Sequence, residues 1–210
     1  MKKIITTLFA LLLTVSAAQA ATVADPENTL FLDLKDGRVV IQMLPDLAPK
    51  HVARYKELTR QGFYDGLTFH RVIDGFMAQA GDPKGTGGGG TGIHIPAEFS
   101  KEPFVRGVLG AARLPSDINT ADSQFFIMLD TQSSLNGDYT VWGKVIEGME
   151  FVDQVNRCEP VQSYDPNKGP VMKMNCAVPG TSPSKIIKMI VAADEGKPMP
   201  AKATLAPETK

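Results

Sequence analysis

Phe69-His70-Arg71-Val72-Ile73-Asp74-Gly75-Phe76-Met77-Ala78-Gln79-Ala80-Gly81-Asp82 reads as two short strands, 68–73 and 76–80, folded about Asp74-Gly75. Asp-Gly between two β-prone runs is a strong hairpin signal. Side chains alternate across a strand, so Arg71 falls on the face opposite His70 and Val72. A guanidinium and an amide, Arg71 and Gln79, thus occupy otherwise apolar strands. A polar residue so placed is either paired in the core or faces a ligand.

Working outward, two more segments have the same character: Ser123-Gln124-Phe125-Phe126-Ile127 and Gly137-Asp138-Tyr139-Thr140-Val141-Trp142-Gly143-Lys144-Val145. Upstream, 29–34 and 38–44 alternate as strands around Lys35-Asp36-Gly37. Ala48, Val52, Tyr55 and Leu58 recur at helical spacing, which predicts a helix to about Gln61. Pro49 suits its first turn and Gly62 its end. Runs at 105–112, 124–129, 140–145 and 185–192 read as further strands, and 148–155 as a second helix. Many short strands, 19 glycines and only two helices predict a mainly β fold, a closed antiparallel barrel. Closure removes strand edges, so a monomer is expected.

The chain has 210 residues, 43% hydrophobic and 21% charged, enough for one globular domain with a sizeable core. Its first twenty residues are set apart. Met1-Lys2-Lys3, an apolar run over 4–15 and Ala18-Gln19-Ala20 have the form of a cleaved secretory signal. The run is too short for a membrane anchor, since a spanning helix needs ~20 apolar residues. The expectation is therefore a signal at 1–20, a domain at 21–192 and a disordered tail at 193–210, in a periplasmic protein. The formal charge of the whole chain is -1; without Lys2 and Lys3, 20 basic residues face 23 acidic ones, giving -3. No general attraction to nucleic acid or anionic membranes follows. Cys158 and Cys176 are an even pair in an exported chain, which invites a disulfide closing a short loop; two free thiols are the alternative.

Several chemistries lack their residues. Gly85, Gly87 and Gly90 formally fit a dinucleotide motif, but the following Ile93-His94-Ile95-Pro96 reads as strand and not as the helix that motif needs. His51, His70 and His94 show no zinc-ligand spacing, and His51 reads as a solvated helix residue. No nucleophile elbow is present. No metal or cofactor is implied.

Taken together, the three motifs resemble those of the cyclophilin family. The segment Phe69 to Asp82 is similar to its F-H-R-x-x-x-x-F-M-x-Q-x-G-D signature, Ser123 to Ile127 to its S-Q-F-F-I strand, and Gly143 to Met149 to its G-K-V-x-x-G-M stretch. The resemblance runs in order from about Thr29 to Val155. It implies an eight-stranded β-barrel capped by two helices and a peptidyl-prolyl cis/trans isomerase acting on proline-containing segments of exported proteins as they fold. It places the catalytic arginine at Arg71, its supporting glutamine at Gln79, and the proline pocket at Phe76, Met77, Phe126 and Leu135. Ala112 and Arg113 flank the peptide, where many eukaryotic members have Ala-Asn, and Tyr139 stands where those members have His. The Cys158–Cys176 insert and the tail lie outside the pattern.

These residues suit the reaction. Amide resonance sets a barrier of about 20 kcal/mol, so uncatalysed X–Pro isomerisation takes ~10–100 s. At the barrier the twisted nitrogen regains its lone pair and accepts a hydrogen bond more readily. A fixed cationic donor there stabilises the twisted form over both planar isomers. Arginine supplies that donor as a permanent cation. No bond breaks. A peptide-binding module with little turnover is the competing reading, against which the presence of both Arg71 and Gln79 argues.

Overall fold

The computed structural model describes residues 23–165 and 167–198. Strands β1 (Thr29–Asp33) and β2 (Arg38–Met43) form the expected first hairpin. Its turn closes through the Leu34 N–H on the Gly37 carbonyl at 3.0 Å. Helix α1 (Pro49–Arg60) follows with proline in its first turn. It stops at Gly62, whose φ of +65° lets the chain reverse without a Cβ penalty.

Strands β3 (Arg71–Ile73) and β4 (Met77–Ala80) are the hairpin of the deciding segment, with Arg71 opposite Gln79. Then come β5 (Val108–Ala111), β6 (Phe125–Met128), β7 (Val141–Glu147) and the short helix α2 (Met149–Asp153). A hairpin of β8 (Cys158–Asp165) and β9 (Gly169–Cys176) precedes the last strand, β10 (Lys188–Val191).

Eight strands form one antiparallel sheet in the order β10-β1-β2-β7-β5-β6-β4-β3. The expectation of a closed barrel is corrected here: the sheet is an open half-barrel with β10 and β3 at its edges. The segments leading into those strands meet through a single bridge, Thr68 with Lys185, and a few backbone hydrogen bonds such as Gly66 N–H to the Ile186 carbonyl at 2.8 Å. Where the ladder would close, the β10 edge is taken by a side chain instead: Asp65 accepts the Met189 N–H at 3.0 Å. At the other edge β8 runs beside β3.

Alternation splits the strands between two apolar clusters. Phe125 and Ile127 of β6 enter the main core with Trp142, Tyr55 and Tyr64. Phe126 and Met128 enter a smaller cluster on the other face with Met77, Phe104, Val108 and Val141. Both faces of β6 are thus covered, and all four of its residues are buried. Tyr55 and Tyr64 are fully buried, and their hydroxyls donate to the Gln124 and Ser123 carbonyls at 3.0 and 3.1 Å. The core therefore grips the backbone at the head of β6, where the site begins.

Three further expectations change. His51 is fully buried and not solvated. Ala48 offers helix α1 no capping side chain, so Glu98 from a distant loop accepts the Lys50 and His51 N–H groups and sits 2.7 Å from His51 Nδ1. The Cys158–Cys176 segment is no irregular loop but a hairpin paired from Cys158–Cys176 to Asp165–Gly169, tied at its open end by a disulfide. Pro160 and Pro170 masked its strand character, since proline argues against a strand. Residues 193–195, assigned to the tail, are ordered: Ala192–Asp194 is a 3-10 turn, Asp194 pairs with Arg60 at 2.7 Å and Glu195 with Arg38. The signal segment and residues 199–210 lie outside the described residues. Among the described residues no helix is long and apolar enough to cross a membrane.

Candidate active site

The outer face of β3, β4 and β6 bears Arg71, Met77, Gln79 and Phe126. With Phe76 from the β3–β4 turn, Ala112 and Arg113 after β5, Leu135 from a 3-10 turn and Tyr139 before β7, they surround one cavity of about 360 Å³. All nine residues named from the sequence as catalytic or substrate-binding line it; Pro115 joins them.

One end of the cavity is apolar. Phe126 forms its wall, stacked on Phe104 at 5.7 Å and edge-on to Tyr139 at 5.7 Å. The ring can lie flat because its cross-strand partner is Gly110: a Cβ there would come within 2.2 Å of Phe126 Cζ. Gly110 was not anticipated, and nothing in a lone glycine on an apolar strand marks it out.

The other end is polar and aligned by a relay. Arg71 Nη1 donates to Gln79 Oε1 at 3.4 Å. Gln79 Nε2 donates to Gln124 Oε1 at 2.8 Å. Gln124 Nε2 donates in turn to the Gly87 and Gly89 carbonyls at 3.0 and 2.7 Å. Each amide is oriented by its neighbour, so the Arg71 partner has a defined direction. The guanidinium also lies 5.9 Å from the Phe76 ring centroid. Gln124 was missed as a site residue. Its signal was present, an amide at the head of an apolar strand, as for Gln79.

The glycine loop anchors this relay, and two carboxylates accept from several of its backbone amides. Asp82 accepts the N–H groups of Lys84, Thr86 and Gly87 at 2.7, 2.9 and 2.6 Å. Asp122 accepts those of Thr91 and Gly92 at 2.6 and 2.8 Å, and the Thr91 hydroxyl. Burial alone would raise the Asp82 carboxyl, but these backbone donors hold it below the usual carboxylate range. No strand follows the loop as expected, only an Ile95–Ala121 bridge. A second cavity of about 190 Å³ lies between loop and barrel and shares Gln79, Ala112 and Arg113 with the first.

Arg113 sits on the ridge between the cavities. Its Nε and Nη2 donate to the Asp138 carbonyl at 3.2 and 3.1 Å, its Nη1 to the Leu114 carbonyl at 3.0 Å, and its guanidinium covers Tyr139 at 4.6 Å.

Comparisons with known proteins agree with this geometry. Residues 30–178 match the family described as cyclophilin type peptidyl-prolyl cis-trans isomerase/CLD. A probable peptidyl-prolyl cis-trans isomerase of Brucella suis is 49% identical over 195 residues, covering 87% of this chain and 91% of that protein. Peptidyl-prolyl cis-trans isomerase B of Bacillus subtilis is 45% identical over 132 residues, covering 61% of this chain and 91% of that protein. The crystal structure of a Cryptosporidium parvum cyclophilin type isomerase, obtained in the presence of the dipeptide Ala-Pro, superposes with a TM-score of 0.63 at 27% identity over 78% of this chain and 98% of that one. With the half-barrel, the two helices and the match over 30–178 in accord, the chain belongs to the cyclophilin family of peptidyl-prolyl cis-trans isomerases.

Proposed function

We propose that this isomerase acts on X–Pro bonds of exported proteins during their folding, with Arg71 as catalytic donor and the Phe126 hollow as proline holder. One observation carries the assignment of roles: a guanidinium held by Gln79 opens on the same cavity as a ring-sized apolar hollow. Phe76, Met77, Phe126 and Leu135 hold the proline ring while the preceding carbonyl swings. Arg71 donates to the imide nitrogen as it pyramidalises, an interaction stronger in the twisted form than in either planar isomer. Gln79 fixes the direction of that donor. Ala112 and Arg113 border the peptide on the far side. The reaction breaks no bond, so positioning and one directed charge suffice.

The signal-like first twenty residues support export, and with it a periplasmic location and newly exported clients. The disulfide supports the same compartment, since such bonds persist in oxidising surroundings. A monomer is the assembly we propose: within this chain the β10 edge is occupied by Asp65, and β8 lies along β3. Export is tested by fractionating cells that express the full chain. A shortened form in the periplasmic fraction is expected; a full-length form left in the cytoplasm refutes it. Isomerisation of a proline tetrapeptide, followed by NMR exchange, tests the catalytic assignment when run on Arg71 and Phe126 variants.

A further inference from the structure

The arginines divide by location. The chain has seven. Five lie away from the groove and each has a carboxylate partner: Arg38 with Asp33, Arg54 with Glu57, Arg60 with Glu27, Arg106 with Asp153 and Arg157 with Asp74, at 2.6 to 2.8 Å. The two in the groove, Arg71 and Arg113, have none among the described residues. No acidic side chain lines the proline cavity. Asp122 lines only the second cavity, and its oxygens are taken by Thr91 and Gly92.

Arg113 is moreover held ready. A guanidinium has five N–H groups. Three of them go to the Asp138 and Leu114 carbonyls, while the face lies on Tyr139. That leaves one N–H on each of Nη1 and Nη2, the two-pronged edge that matches a carboxylate. Carbonyls have pinned the side chain without neutralising it, so little rotamer entropy remains to be lost when an anion docks.

We infer that Arg113 selects client segments bearing a carboxylate side chain next to the proline. This rests on the isomerase reading of the same cavity and narrows its substrate class. Arg71 is engaged by the imide, so Arg113 is the cation left for a flanking side chain. Asp122 repels a carboxylate from the second cavity, which confines the acidic residue to the proline side of the ridge. Proteins with Glu or Asp beside proline are the preferred clients, and Lys in that place is disfavoured.

Two pairs of tetrapeptides test this: Ala-Glu-Pro-Phe against Ala-Gln-Pro-Phe, and Ala-Ala-Pro-Glu against Ala-Ala-Pro-Gln. Kd is read by NMR titration and kcat/KM by exchange spectroscopy, at low salt and at about 0.5 M salt. The readout is the Glu/Gln ratio, so a change in overall activity does not disturb it. The wild type is expected to favour Glu about three- to fivefold in one pair or both at low salt, as for a partly exposed ion pair. Salt abolishes the preference, Arg113→Gln brings the ratio to about one, and Arg113→Lys retains part of it. A wild-type ratio near one in both pairs overturns the inference, as does a preference that survives Arg113→Gln. Should that variant not fold, a preference indifferent to salt overturns it equally. If no peptide is turned over, the isomerase reading fails, while the Kd ratios still decide this point.

Discussion

Gly110→Ala is the smallest change that should damage the site. A Cβ at that position stands 2.2 and 2.6 Å from Phe126 Cζ and Cε2, and 2.8 Å from Phe104 Cε1. Carbon atoms pack best at about 3.5–4.0 Å, so the Phe126 ring must retreat by more than an ångström. Its neighbours leave few directions. Phe104 is stacked on one side, Tyr139 stands edge-on, and the cavity is the open side. Overpacking of this kind costs about 2 kcal/mol, and a urea midpoint moves by roughly 1 M for such a loss. The displaced ring occupies the proline hollow, for which we expect KM for a proline tetrapeptide to rise about tenfold, equivalent to ~1.4 kcal/mol. The single tryptophan, Trp142, is fully buried and reports unfolding by fluorescence. Shortening the ring should relieve the clash: Gly110→Ala with Phe126→Leu should be more stable than the sum of the two single changes by about 1 kcal/mol. An unchanged midpoint and KM for Gly110→Ala, or strict additivity in the double variant, would refute the packing argument.

Gln79→Leu removes the acceptor that directs Arg71 and leaves Gln124 Oε1 without its donor. Its kcat should fall about tenfold with a smaller change in KM, since a positioning contact matters most in the transition state; steady-state rates that match the wild type speak against the relay. Replacing Cys158 and Cys176 together by Ser should lower stability by about 3 kcal/mol in denaturant. Tetrapeptide turnover should persist in that variant, because the β8–β9 hairpin gives no residue to the proline cavity; a lost turnover with an intact fold contradicts this. Acid should weaken the fold through His51 and His70. Burial holds both below the ordinary value of 6.5, so the unfolded chain takes up protons that the folded one does not. Their stabilising effect is complete above pH 6.5 and is lost as pH falls through the lowered folded values. A urea midpoint constant from about pH 8 to pH 5 would contradict this linkage.

Two of the nine site residues were legible because they are polar where the strand pattern demands apolar ones, and the other seven were placed by the family resemblance alone. Arg71 and Gln79 stood out on alternation, and the order of the three motifs supplied their company. Gln124 satisfies the same criterion at the head of its strand, but its role shows only through partners distant in sequence, Gln79 and the Gly87 and Gly89 carbonyls. Gly110 could not be read, because its meaning is the ring across the strand pair from it. The fold was legible as short strands and two helices, yet closure was not: whether two edge strands pair depends on a few residues of lead-in geometry, and Asp65 fills the edge with a side chain. His51 was misjudged because its partner, Glu98, arrives from 47 residues away.

The central claim is that one guanidinium acts on the rotating imide beside the proline hollow. Exchange spectroscopy on an Ala-Pro tetrapeptide with purified Arg71→Ala tests it directly, with the urea midpoint as a check on folding. We expect isomerisation to fall about 100-fold or more while peptide Kd shifts far less, as when a single transition-state donor is removed. A folded Arg71→Ala protein that turns the peptide over within about threefold of the wild-type rate would contradict the account, since one such donor is worth far more than that.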